Sequence, residues 1–509
     1  MIDRFTNILR RKLTIDWAKD MGLLDMRNHS LGIGGVHSMP PPPSVVEGTA
    51  TLKPRLIRIF IQEFFFVYPS NGVYDWVKMD AYMDAVHAMG GDIMASICIK
   101  PNALYPALDE TIWMPNDIDE WQALIKAMAI RYSVDKPYVT YWAIANEMNI
   151  GEYGGCPYLI TSPDDFFEYY KMTSAPIREA LPPKIKVGGP SYAGIRGGAE
   201  YLARFVELCK QDNVPLDFVC YNMYSNNPGE HAAGARGMRD AIAKHNPDLE
   251  FYMTEFNIGI SEDVSLEEKA FDPKRAAAQA ASILTLHEDG ALDGSFQYHI
   301  YDQFNDPGEF ESFFSRSRYM AEHWNDIPHR LGLFDLDGKA RPQFFMYKLL
   351  YEMSGQRVEL DGTDRIIIGI ASLSACDNVS LSKSGIASLS ACGNEPFSKS
   401  VNVPFSKSGV TLTSKTSKAL SVFLVNYAEK GAVDAVAQLQ FVNAPVGVYR
   451  LNIYKIDNDA AAKMKAAAPD FPMRDLPPAE SRIVYVHPDF HFDVFIPADS
   501  VMLIQLTKA

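Results

Sequence analysis

Two glutamates, each closing a short run of apolar and β-branched residues, are the positions in this chain best suited to do chemistry. Glu147 ends the run Tyr138-Val139-Thr140-Tyr141-Trp142-Ala143-Ile144-Ala145-Asn146, and Glu255 ends Leu249-Glu250-Phe251-Tyr252-Met253-Thr254. Both runs read as buried strands. In a parallel barrel the C-terminal ends of the strands form the face where active sites are built. Two carboxyl groups facing each other across such a mouth suit cleavage of a glycosidic bond: one stays ionised and attacks the anomeric carbon, while the other holds a proton for the leaving oxygen. A separation of about 5–5.5 Å gives retention of configuration. The proton holder needs a less polar or more negative surrounding than the nucleophile. The dipeptide Asn-Glu carries no weight alone, since it recurs at Asn394-Glu395. A single strand-ending Glu is more often a helix-cap neighbour or a surface ion pair; two of them, in the fourth and seventh of eight strands, reverse that reading.

Those strands belong to a repeating pattern. β-like runs fall at Leu31–Val36, Arg55–Ile61, Asp92–Ile99, Tyr138–Ala145, Ile185–Pro190, Leu216–Tyr221, Leu249–Glu255 and Gly294–Ile300. Helical spacing fills the intervals, as in Asp75–Met89, Ile118–Tyr132, Asp164–Leu181 and Pro273–His287. Ser162-Pro163 and Asp272-Pro273 are start signals with Pro at a first helical position. Eight strand–helix repeats predict a closed (β/α)8 TIM barrel of α/β class, finished by a helix over Pro342–Met353. After it the pattern turns to short β-like runs, Ala419–Asn426, Ala435–Phe441, Gly447–Tyr454, Arg482–His487 and Phe490–Ile496, which predict a C-terminal β-sandwich domain. The expected division is an N-terminal segment 1–30 giving one strand to the sandwich, a catalytic barrel over 31–353, and the sandwich over 354–509. Within the last, IASLSACDNVSLSKSG at 370–385 is nearly repeated at 386–401, with a fragment following at 402–409. Its Ser-rich, apolar-poor composition predicts a surface insertion rather than a solenoid.

The chain has 509 residues, 47% of them hydrophobic, and a net charge of −15. The charge argues against nucleic acid as a partner. No apolar stretch approaches the roughly 20 residues of a membrane helix. The first twelve residues lack the apolar core of a secretory leader. The six cysteines, at 98, 156, 209, 220, 376 and 392, form no CxxC pair, so free thiols and a cytoplasmic location are expected. There is no persuasive metal-ligand spacing, phosphate-cradling glycine loop or serine elbow, so no cofactor is expected. The expected partner is a carbohydrate substrate; the sequence carries no signal for oligomeric state.

The chain resembles the clan-A retaining glycoside hydrolases, and most closely family 39, the family of β-xylosidases and α-L-iduronidases. The resemblance covers roughly residues 30–352 and rests on Asn146-Glu147 followed by Asn149, on Val187-Gly188-Gly189-Pro190 with Ala193-Gly194, on Tyr252-Met253-Thr254-Glu255-Phe256-Asn257, and on Leu331–Pro342. It implies Glu147 as general acid/base, Glu255 as nucleophile and Asn146 as the partner of the sugar 2-hydroxyl. The chain departs from the family around the sugar. Ala145 and Met148 stand where members usually have Trp and Pro, and Asn222-Met223-Tyr224 where they have His-x-Tyr. His299 takes the place of a strand-eight Trp, and Phe60 that of a strand-two His. The further candidates around the substrate are Arg58, to orient the nucleophile or form a buried ion pair; Asn222; Tyr224, to donate to Glu255 or simply pack; and Tyr298 and His299, to line the sugar pocket, with a structural histidine as the other reading of His299. The loop 300–311 is acidic and aromatic and is expected to cover part of the mouth. Alternatives to a β-xylosidase-like enzyme are an arabinosidase, a uronidase, an endo-acting exopolysaccharide hydrolase, or a catalytically silent sugar-binding barrel.

Overall fold

Near-continuous apolar runs can be buried on both faces only if helices cover the outside of a parallel sheet, and the chain folds that way. A computed structural model describes residues 8–34, 38–259, 270–310, 314–315, 321–322, 325, 330–376, 417–467 and 475–509. After a long first strand, β1 (Leu9–Asp25), come β2 (His29–Gly32), β3 (Leu56–Gln62), β4 (Asp92–Cys98), β5 (Val139–Ile144), β6 (Lys186–Gly188), β7 (Tyr192–Ala193), β8 (Phe218–Tyr224), β9 (Glu250–Asn257) and β10 (Gly294–Tyr298). Strands β2 to β10 pair in parallel throughout, and β10–β2 and β6–β8 contacts close the ring. Helices alternate with them: α1 (Pro43–Leu52), α2 (Val77–His87), α3 (Ile118–Ile130), α4 (Pro163–Ala180), α5 (Gly198–Gln211), α6 (Pro228–Ala243), α7 (Pro273–Asp289) and α8 (Pro342–Tyr351).

The start signals act as capping chemistry. The Ser162 hydroxyl accepts from the Asp165 N–H and the Asp272 carboxylate from the Lys274 N–H, each satisfying an orphan donor of the first turn. The fifth strand is the one that departs from the sequence reading. It breaks into β6 and β7, with Ser191 between them in a left-handed φ of 55° that an extended strand does not hold; glycines precede the break because a Cβ on Gly188 would lie 2.1 Å from the Phe218 carbonyl and one on Gly189 2.6 Å from that of Ile144. Of the first expected strand, Gly35 and Val36 lie outside the described residues.

The sandwich expected after residue 353 takes the form of one continuous nine-stranded sheet. It comprises β1 with β11 (Ser354–Asp361), β12 (Ile367–Cys376), β13 (Ser417–Asn426), β14 (Ala435–Val442), β15 (Gly447–Ile456), β16 (Glu480–Val486), β17 (His491–Ile496) and β18 (Ser500–Lys508). The sheet curls so far that its two edge strands, β16 and β17, are joined by residues 487–490 alone. Its core includes Leu13, Ile15, Val422, Leu424, Leu451 and Leu506. β1 lies well inside the sheet, antiparallel to β11 and parallel to β14. The Ser-rich repeat does not begin as an insertion: residues 370–376 belong to β12, where Ile370 and Leu373 are buried. These residues carry enough apolar surface to serve as a core strand, so any insertion starts after Cys376; residues 377–409 of the repeat lie outside the described residues.

The sheet packs on the barrel rather than beside it. Phe423, Val425, Val501 and Leu503 join the cluster that holds the alanine-rich α7 and the aromatic α8. The Tyr427 hydroxyl donates to the Asn226 carbonyl, just beyond the end of β8 (2.7 Å). Among the described residues, no helix is long and apolar enough to cross a membrane, and Cys98, Cys156, Cys209 and Cys220 are free and buried.

Candidate active site

Glu255 sits near the C-terminal end of β9, a strand buried along nearly its whole length. A register shift between β8 and β9 pairs Tyr221 with Met253 but Asn222 with Glu255, so Thr254 is the extra residue. Bulges of this kind re-aim side chains next to active sites. Here the Thr254 hydroxyl lies 2.8 Å from Asn222 Oδ1, and Glu255 is only 4% exposed. Its carboxylate accepts from Arg58 Nη1 (2.9 Å) at one oxygen and from the Tyr224 hydroxyl (2.6 Å) at the other.

Arg58, on β3, is 1% exposed, and its five N–H groups are all directed at acceptors. Nε points to Ser96 Oγ (3.2 Å), Nη1 to the Thr254 carbonyl (3.2 Å) and Glu255, and Nη2 to Asn146 Oδ1 (2.6 Å) and Ser191 Oγ (3.5 Å). The guanidinium also lies over the Phe60 ring, 4.3 Å from its centroid. Arg58 was a candidate to orient the nucleophile or to form a buried ion pair; every donor is engaged, and the Glu255 carboxylate is its charged partner.

Glu147 follows β5 through an unusual backbone. Ala145 and Glu147 adopt φ of 67° and 47°, a left-handed conformation that costs a non-glycine residue about 1–3 kcal/mol. The surroundings hold it there: Ala145 N–H donates to the Ile97 carbonyl and Glu147 N–H to that of Ser191. The Glu147 carboxylate accepts from Asn222 Nδ2 at Oε1 (2.9 Å). Residues 151–155 lie against its other side, where a Cβ on Gly154 would come within 2.4 Å of Oε2. Burial, and secondly the charge of Glu255, push the Glu147 carboxyl well above the usual range; the Asn222 hydrogen bond works in the opposite direction.

The two carboxyl groups are thus linked by a short polar chain: Glu255 to Arg58, Arg58 to Asn146, Asn146 to Asn222 (3.1 Å), and Asn222 to Glu147. Asn146 also donates to the Gly154 carbonyl (3.1 Å) through Nδ2, which carries a second hydrogen. Asn222, expected to bind substrate, spends both amide hydrogens on Asn146 and Glu147, so it too acts through its neighbours. Asn149 takes no part; its side chain clamps the backbone of Ala193.

Tyr298 ends β10, and His299 follows it. The Tyr298 ring meets Tyr224 edge to face, with centroids 6.0 Å apart. Its carbonyl accepts from Asn257, whose Oδ1 accepts from Gln279 of α7 (2.5 Å). His299 packs against Gly34, and its Nε2 lies 3.6 Å from Asp302. Asp302 is in turn held by Arg341 (2.6 Å) and the Gly332 N–H (2.9 Å). Burial would raise the Asp302 carboxyl, but Arg341 and His299 outweigh it and hold the group below its usual value. Asp302, in the loop expected to cover part of the mouth, is a buried ion-pair partner.

Sequence reasoning assigned no role to Ser96, Ser191 or Thr254. The available signal was polarity: Ser96 and Thr254 interrupt otherwise apolar strands, and a buried hydroxyl requires a partner. Among the described residues, no group of three or more His, Cys, Asp or Glu side chains is arranged to hold a metal ion.

Comparison with known proteins agrees with this architecture. A family model described as "Glycosyl hydrolases family 39" matches residues 66–385, more than half of the chain. A beta-xylosidase of Geobacillus stearothermophilus is 22% identical over 321 residues, covering 57% of this chain and 58% of that protein. The match therefore spans less than two thirds of that relative's length. Two solved structures share the fold over nearly the whole chain. The GH39 enzyme from Xanthomonas axonopodis pv. citri has a TM-score of 0.70 at 18% identity, covering 100% of both chains. A monomeric beta-xylosidase from Caulobacter crescentus CB15 has a TM-score of 0.67 at 17% identity, covering 98% of this chain and 99% of that one.

Proposed function

This chain belongs to glycosyl hydrolase family 39, and from that premise we propose that it is a retaining, β-xylosidase-like glycosidase working by double displacement. Glu255 attacks the anomeric carbon as Glu147 protonates the leaving oxygen. Glu147 then takes a proton from water, whose oxygen displaces Glu255 and releases the sugar. Asn146 uses its remaining amide hydrogen on the 2-hydroxyl.

The observation that carries the reading is the unequal treatment of two linked carboxyl groups. Glu255 receives a guanidinium and a phenol, which suit an anion; Glu147 is half-buried against backbone and faces the charge of Glu255, which suits an acid. Glycosylation of Glu255 removes that charge. The affinity of Glu147 for its proton then falls, and the same group becomes a base when the second step needs one.

A panel of aryl glycosides, led by the β-D-xyloside and including an α-L-arabinofuranoside and a uronide, tests the activity and the sugar. Proton NMR of the first product is expected to show the anomeric configuration of the substrate. An inverted first product refutes the double displacement, and a chain that releases phenol from no member of the panel is a sugar-binding barrel. Gly154→Ala is expected to lower kcat by roughly 10²-fold, because the added methyl must displace Glu147, and small misplacements of a reacting group cost about that much. Full activity in a correctly folded Gly154→Ala protein, checked by circular dichroism, would contradict the close approach to Glu147.

A further inference from the structure

Each hydrogen bond in the polar chain between the two carboxyl groups has a fixed donor and a fixed acceptor. Arg58 has donors and no acceptor, so the Asn146 atom it meets at 2.6 Å must be Oδ1. That oxygen also faces the Asn222 amide, so the Asn222 atom 3.1 Å away must be Nδ2. The other end of the same amide is therefore Oδ1, and it lies 2.8 Å from the hydroxyl of Thr254, which can donate. The amide is thus assigned from the fixed Arg58 cation, and the Thr254 hydroxyl is placed to agree with it, nearer to Asn222 Oδ1 than to its other acceptor, the Tyr221 carbonyl (3.2 Å). The result is that Nδ2 points at Glu147 Oε1, 2.9 Å away.

We infer that Asn222, oriented by Thr254, is a positioning residue that keeps Oε1 of Glu147 an acceptor throughout the reaction, so that the proton given to the leaving group and later taken from water is carried on Oε2. This rests on the glycosidase reading for its role in turnover, but the hydrogen-bond direction stands apart from it. Oε2 is the oxygen next to Gly154, and Oε1 the one that Asn222 meets. The family resemblance places a histidine at position 222, a group that can donate or accept according to its protonation. Asparagine held by Thr254 removes that ambiguity.

The sign of one titration tests the inference. The Glu147 carboxyl is followed by ¹³C NMR in protein labelled at glutamate, its signal assigned by loss in Glu147→Gln. If Asn222 donates to Oε1, it favours the ionised form, and Asn222→Ala moves the midpoint up. If the amide were reversed and accepted a proton from Glu147, the same substitution would move the midpoint down; a downward shift or no shift overturns the inference. Thr254→Val is the second variant, free of any change at position 222, and is expected to move the midpoint in the same direction by less. In turnover of an activated aryl glycoside, where the second step limits the rate, Asn222→Ala is expected to lower kcat roughly tenfold; with a poor leaving group, the alkaline limb of kcat/KM, where free-enzyme Glu147 must be protonated, is displaced upward. A rise in KM alone, with that limb unmoved, would make Asn222 a sugar ligand and overturn the inference. An upward midpoint shift in a protein whose wild type releases no phenol would sustain the hydrogen-bond direction while refuting the glycosidase reading.

Discussion

Replacing Glu255 with Ala is expected to lower turnover by about 10⁴-fold or more, the scale seen when a covalent nucleophile is removed. No other described group stands where Glu255 stands: Arg58 and Tyr224 both aim at its carboxylate, and neither can form the glycosyl ester. The substitution also leaves the buried Arg58 without its counter-charge, and breaking a buried pair costs about 3–5 kcal/mol of stability. Glu255→Gln is the companion variant, since its amide oxygen still accepts from Arg58. It should stay folded and be equally inactive. Added azide should not restore a product of retained configuration to Glu255→Ala, because azide entering from the nucleophile's side displaces the leaving group directly, with inversion. A retained azide product from that variant would reassign the nucleophile.

Glu147→Ala is expected to behave differently, and the contrast separates the two roles. Loss of general acid catalysis should slow substrates with poor leaving groups by about 10²–10⁴-fold, and activated aryl glycosides much less in the first step. The second step still lacks a base for water, so the glycosyl-enzyme accumulates and KM falls. Azide needs no base. It should therefore accelerate turnover of the activated substrate and yield a glycosyl azide of retained configuration, identified by proton NMR. Absence of rescue in a folded variant would remove Glu147 from the acid/base role.

Much of this was legible in the sequence, for reasons that differ by residue. The strands ending at Glu147 and Glu255 announce themselves because a barrel strand must be apolar along its length, and Ser162-Pro163 and Asp272-Pro273 mark helix starts through local capping chemistry. The break between β6 and β7 was hidden because the left-handed residue within it is Ser191, neither a glycine nor an asparagine. The left-handed backbone at Ala145 and Glu147 was hidden because neither is a glycine or asparagine, the residues that usually signal it. Asn222 was read as a substrate ligand for a related reason. A polar side chain near a catalytic carboxyl looks like a ligand for substrate until its donors are followed to their acceptors, and those acceptors come from other strands and loops.

The position of β1 has a consequence for how the protein is made. Its parallel partner β14 begins at Ala435, so a ribosome adding about 5–20 residues per second delivers that partner roughly 20–80 s after β1 emerges. Throughout that interval the nascent chain displays Leu13, Ile15 and Trp17 with no finished sheet to receive them. Trimming this first strand, or halting translation shortly before β14, would leave a complete barrel fastened to an open, adhesive edge.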